Sequence, residues 1–121
     1  MSGRTLGEDL RAAAARNPDR AAVVAGGRTL SYGELDRLAD GLAAGLRELG
    51  VRRGDRVAVV LPNGVEAAIA IYGVLRAEAA FSPLNPTIKP EKLGHVLADS
   101  GAAALICDAG RLELASGVPI L

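Results

Sequence analysis

The sequence predicts an α/β fold: a mainly parallel sheet with helices on both faces, preceded by a short N-terminal β-hairpin. Three observations carry this. Short apolar runs, too brief for helices, alternate with longer segments of helical periodicity. Gly26-Gly27 separates the first two of those runs, and two glycines able to take positive φ mark a two-residue hairpin turn. Three segments open with a small polar residue followed three positions later by Glu, the pattern that satisfies orphan amide groups at a helix start: Thr5 with Glu8, Ser31 with Glu34, and Asn63 with Glu66.

The first of these boxes predicts a helix running to about Arg16 and ending at Asn17-Pro18, because proline cannot continue it. Strands over 21–25 and 28–30 then form the hairpin. The helix after Ser31 carries Leu35, Leu38, Leu42, Leu46 and Leu49 at spacings of three and four, which predicts one apolar core stripe. Asp36, Arg37, Asp40, Arg47 and Glu48 lie off that stripe, and Gly50 is the natural stop. A buried strand follows at 56–61. The third helix, from Gly64 to about Ala77, is apolar almost all the way round and is predicted to be the central one. A strand at 80–83 leads to a fourth helix that begins near Pro90 and ends at Asp99-Ser100-Gly101. A strand at 103–107, a short fifth helix from Asp108 to about Ser116-Gly117 and a strand at 118–121 complete the expectation. Strands alternating with helices imply right-handed crossovers and a parallel sheet buried on both faces.

At 121 residues the chain, 1–121, reads as a single domain. Half its residues are hydrophobic, yet Phe81, Tyr32 and Tyr72 are its only aromatic residues, so the core must be built from Ala, Val, Leu and Ile. Fourteen basic residues balance fourteen acidic ones without a charged run, which argues against nucleic acid as a partner. The opening residues lack the uninterrupted apolar stretch of a secretory signal, and no segment approaches the roughly 20 apolar residues of a membrane span. A cytoplasmic location is the default expectation. Twelve arginines to two lysines and abundant alanine suit a GC-rich bacterial genome.

The candidate site residues each have a plainer role. Gly26-Gly27 lacks the glycine spacing of a phosphate loop and does not lead directly into a helix. Gly54 is expected to supply a turn and Asp55 its local hydrogen bonds. His95, the only histidine, has no partner set for a metal or a catalytic dyad and reads as a partly exposed helix residue. Cys107, the only cysteine, cannot form an internal disulfide and reads as a buried strand thiol beside Leu105 and Ile106. Asn63 reads as a helix cap. Phosphoryl chemistry requires cationic groups, metal ligands and a loop of backbone amides converging on one point. This chain offers as lysines only Lys89 and Lys92, and no Ser/Thr/Gly-rich loop. No catalytic, cofactor-binding or metal-binding residue is assigned.

Thr29-Leu-Ser-Tyr-Gly-Glu-Leu35 and Leu75-Arg-Ala-Glu-Ala-Ala-Phe-Ser-Pro-Leu-Asn-Pro86, with Arg52-Arg-Gly-Asp-Arg-Val57 between them, are similar to the first two core motifs of adenylate-forming (AMP-binding) enzymes and the turn that separates them. From about Leu6 onward the chain resembles the N-terminal segment of an acyl-CoA synthetase, or fatty-acid-CoA ligase. Pro83-Leu-Asn-Pro86 favours acyl- or aryl-CoA ligases over peptide-synthetase adenylation domains, which more often carry Asp where Asn85 stands. The resemblance implies an enzyme that joins ATP to a carboxylate with release of pyrophosphate and passes the acyl group to coenzyme A or a carrier thiol, using ATP, Mg2+ and coenzyme A. The family's phosphate loop, nucleotide contacts, magnesium ligand, acyl pocket and catalytic lysine all fall beyond Leu121. The segment is therefore expected to be structural, inactive alone and without a cofactor of its own. Its implied partner is the remainder of the adenylating enzyme, or a second copy met through an uncovered apolar face.

Two other readings stay open: a split-enzyme subunit or repurposed interaction module, and an independent small nucleotide-binding domain of doubly wound type. Glu78 departs from the family pattern, which usually has glycine there. A helix ending in positive φ at that point would strain a glutamate by about 1 kcal/mol, and its charge would oppose the helix dipole.

Overall fold

The computed structural model describes residues 6–62 and 64–107; the helix and strand expected after Asp108, the Thr5 cap and Asn63 lie outside those residues. The described elements run α1 (Leu6–Arg16), β1 (Ala21–Ala25), β2 (Arg28–Ser31), α2 (Tyr32–Glu48), β3 (Arg56–Val60), α3 (Val65–Arg76), β4 (Ala80–Pro83), α4 (Pro90–Ser100) and β5 (Ala104–Cys107). β1 and β2 form the antiparallel hairpin, with Gly26 at φ 57° and Gly27 at φ 77° in its turn. β3 is the centre of a separate parallel sheet of order β4-β3-β5.

Strand alternation divides the core. Val57 and Val59 of β3, with Ala104 and Ile106 of β5, face Ala43 and Leu46 of α2 and Ala70 and Val74 of α3. Ala58, Val60 and Leu105 point the other way, onto Leu93 and Leu97 of α4. Both faces of the sheet are thus covered, and the strands read as continuous apolar runs for that reason. A third cluster joins α1 through Leu10 to Leu30, Leu35, Ala39 and Val65 and seats the hairpin against the helices. Among the described residues the core contains no buried polar or charged residue.

The expected five-leucine stripe of α2 does not form one core face. Its buried residues are Gly33, Leu35, Ala39, Ala43 and Leu46, whereas Leu38 and Leu49 remain 45% and 38% exposed. Leu38, Leu42 and Leu49 lie to one side of that arc, about 20–60° around the helix from Leu35. α2 and α3 also pack closely. A Cβ added to Gly73 of α3 would stand 2.5 Å from Leu42 Cδ2 and 2.8 Å from Leu42 Cβ.

Helix ends follow the sequence signals with one exception. Ser31 caps α2 with both halves of the capping box: Glu34 N donates to Ser31 Oγ (3.1 Å), and Ser31 N donates to Glu34 Oε1 (3.0 Å). α2 closes with Gly50 N donating to Arg47 O and Val51 N to Leu46 O, the paired bonds of a Schellman motif. α4 starts at Pro90 and ends at Gly101 in the left-handed region. The exception is α3, whose N-cap is Gly64, one residue later than the expected Asn63. Glu66 therefore does not stand at the third helical position that a capping box requires. No helix among the described residues is long and apolar enough to cross a membrane.

Candidate functional site

The Arg52–Val57 and Leu75–Pro86 stretches are bonded to each other, and Arg76 of the second reaches the residue that follows Thr29–Leu35. Arg76, the second residue of the Leu75–Pro86 stretch, projects from the last turn of α3 toward α2, where only 10% of its side chain is exposed. Its Nη2 donates to Asp36 Oδ1 (2.8 Å), and its Nη1 reaches Asp36 O (2.8 Å) and Asp40 Oδ1 (3.0 Å). Asp36 directly follows the Leu30–Leu35 stretch. Arg11 of α1 donates to the same Asp40 oxygen at 2.7 Å, and Arg47 Nη2 donates to Arg76 O at 2.9 Å. One guanidinium thus ties the end of α3 to the second and third turns of α2, and Asp40 extends the tie to α1. Planar, multi-donor recognition of this kind suits arginine and not lysine.

The Arg52–Val57 stretch joins the same assembly from the other side. Asp55 Oδ2 accepts from Arg52 N at 2.8 Å and Asp55 N donates to Arg52 O at 3.0 Å, closing a turn in which Gly54 takes φ 84°. Gly54 N donates to Glu78 O (2.9 Å) and Ala80 N donates to Asp55 O (2.7 Å), so the turn is pinned to the α3–β4 connection and brings β3 and β4 together in register. The sequence assigned Asp55 and Gly54 local roles, and these bonds are those roles. Asp36, Asp40 and Arg76 were not singled out. Their only signal was an arginine ending an otherwise apolar helix.

The other candidates are dispersed. Gly26 and Gly27 occupy the hairpin turn. His95 is exposed on α4. Cys107 is half-buried, where a buried thiol was expected, because it is the last residue of β5 and sits on the rim of an apolar groove. That groove, about 200 Å3, is lined by Leu42, Leu61, Ile69, Ala70 and Ile106, with Glu66 at its edge. Glu66 pairs with Arg28 of the hairpin; its own backbone N–H and then the Arg28 guanidinium hold its carboxyl below the usual carboxylate range. Lys89 and Lys92 are exposed at the start of α4, beside a second groove of about 540 Å3.

Asn85 lies in the loop after β4, where its Oδ1 accepts from Thr87 N (2.9 Å) and Thr87 Oγ1 (2.8 Å). A carboxylate oxygen would accept the same two bonds, so this side chain gives no physical reason for Asn over Asp. Its value as a marker of coenzyme A ligases has no basis in the contacts it makes.

The described residues offer no metal-ligand group for Mg2+. They contain no group of three or more His, Cys, Asp or Glu that would hold a metal, and their buried side-chain polar atoms all have partners, so none is aimed at a ligand. The contacts that converge are those that lock helices to one another and the turn before β3 to the α3–β4 connection.

The family described as AMP-binding enzyme matches residues 10–119. The chain is 47% identical over 110 residues to the salicyl-AMP ligase / salicyl-S-ArCP synthetase of Mycobacterium tuberculosis, covering 87% of this chain and 20% of that protein. Among solved structures, the nonribosomal peptide synthetase FmoA3 bound to α-methyl-L-serine-AMP superposes with a TM-score of 0.90 at 36% identity, over 98% of this chain and 14% of that one. A long-chain-fatty-acid CoA ligase assignment from Rhodopseudomonas palustris superposes with a TM-score of 0.82 at 30% identity, over 95% of this chain and 29% of that one. The chain thus spans a minor part of the length of each relative. It belongs to the AMP-binding, adenylate-forming enzyme family and has the fold of that family's N-terminal subdomain.

Proposed function

We propose that this segment is the structural N-terminal portion of an enzyme that activates a carboxylate as its acyl-adenylate with ATP and Mg2+, and that it is catalytically inactive alone. The observation that carries this reading is the polar joint itself. Two of the family-like stretches are bonded to each other there and the third adjoins it through Asp36, and the charged side chains described above fix helix starts, a turn and the α2–α3 crossing. The catalytic, nucleotide-binding and metal-binding groups belong, on this reading, to other parts of the enzyme, and the location is cytoplasmic.

The acyl acceptor that the relatives support is a carrier-protein thiol. One relative is named for an aryl carrier protein, and another is a peptide synthetase carrying an amino-acyl adenylate. An amino or aryl acid is the corresponding substrate class. The coenzyme A and fatty-acid reading retains the likeness to the Rhodopseudomonas palustris ligase as its support. The partner is the rest of the adenylating enzyme, seated on Leu38 and Leu49 of α2 and on the groove lined by Leu42, Leu61 and Ile106. Relatives carry this unit within much longer chains, and an apolar surface of this kind needs cover. Self-association is the expected behaviour of the segment alone.

The test is a chimera in which this chain replaces the matching 110-residue stretch of the Mycobacterium tuberculosis salicyl-AMP ligase. Salicylate-dependent ATP–pyrophosphate exchange should persist with unchanged acid preference and acceptor, while the 121-residue chain alone shows none. Exchange by the isolated chain, or a changed acid preference in a folded chimera, would overturn the structural reading.

A further inference from the structure

We draw no further inference here: the strongest candidate, the open groove of about 540 Å3 between the 85–87 loop and the start of α4 with Lys89 and Lys92 beside it, rests on a helix N-terminus and two exposed side chains, and nothing in the structure points to a ligand there.

Discussion

Glu78 occupies at the end of α3 the position that Gly50 occupies at the end of α2. Each is the left-handed residue of a Schellman motif, at φ 61° and 94° respectively. Glu78 N donates to Leu75 O and Ala79 N to Val74 O, matching the bonds that Gly50 and Val51 make to Arg47 and Leu46. Glycine adopts this conformation without steric cost, whereas a glutamate pays about 1–2 kcal/mol. Arg53 Nε lies 3.1 Å from Glu78 Oε2, but both side chains are more than half exposed, so solvent screening leaves that pair worth a fraction of the strain. Glu78→Gly should therefore raise the melting temperature by about 2–5 °C. An unchanged or lower value in a thermal melt would show that the left-handed conformation is not costly here.

The α2 capping box links stability to pH. Hydrogen bonds from Ser31, first its backbone N–H and then its hydroxyl, hold the Glu34 carboxyl below its ordinary value. A carboxyl depressed in the folded state stabilises above its unfolded pKa, and that contribution is lost as pH falls through the folded pKa. Stability measured by denaturant should fall below about pH 4.5, and Glu34→Gln should flatten part of that slope. Ser31→Ala should cost about 1 kcal/mol at neutral pH. A pH profile identical in wild type and Glu34→Gln would sink the linkage.

Gly73 sets the distance between α2 and α3. Its absent Cβ leaves room for Leu42, whose Cβ and Cγ would otherwise be approached to 2.8 and 2.7 Å. Because those atoms are near the Leu42 backbone, rotation of the side-chain tip does not relieve the clash. Gly73→Ala should destabilise by about 1–3 kcal/mol, and combining it with Leu42→Ala should cost less than the sum of the two single changes. Additive single and double variants would mean that the helices separate freely.

Arg76→Ala should cost about 2–4 kcal/mol, since it strips Asp36, only 21% exposed, of its charged partner and empties the space between α2 and α3. Arg76→Lys should recover a minority of the loss, because an ammonium cannot reproduce the forked geometry on two carboxylates and a carbonyl. Full rescue by lysine in equilibrium unfolding would reduce the joint to a simple charge contact.

Leu38 and Leu49, the exposed leucines of α2, are expected to act in association and not in folding. Leu38→Lys with Leu49→Lys, at exposed positions, should change stability by less than about 1 kcal/mol. The same pair should lower the mass seen by light scattering and the binding of an apolar dye. Monodisperse wild-type chain with no dye binding would remove the case for an uncovered face.

The elements were legible in the sequence because local chemistry dictates them. Gly26-Gly27 permits the hairpin turn, Ser31 and Glu34 start α2, Pro90 and Gly101 bound α4, and the β3 run Arg56–Val60 is too short and too apolar to be anything but a buried strand. The family was legible as well, since its motifs are strings of such local signals. Two things required the tertiary structure. Periodicity shows that α2 is apolar on one side but not which leucines meet the core: Leu35 and Leu46 are buried, Leu38 and Leu49 are exposed, and Leu42 packs at Gly73 of α3. A charge pattern does not say which of many arginines and aspartates will pair, and only the crossing of α2 with α3 selected Arg76, Asp36 and Asp40. Local signals act within a few residues along the chain, whereas these contacts join positions 29 to 40 residues apart, where only the packing of whole helices determines what meets what.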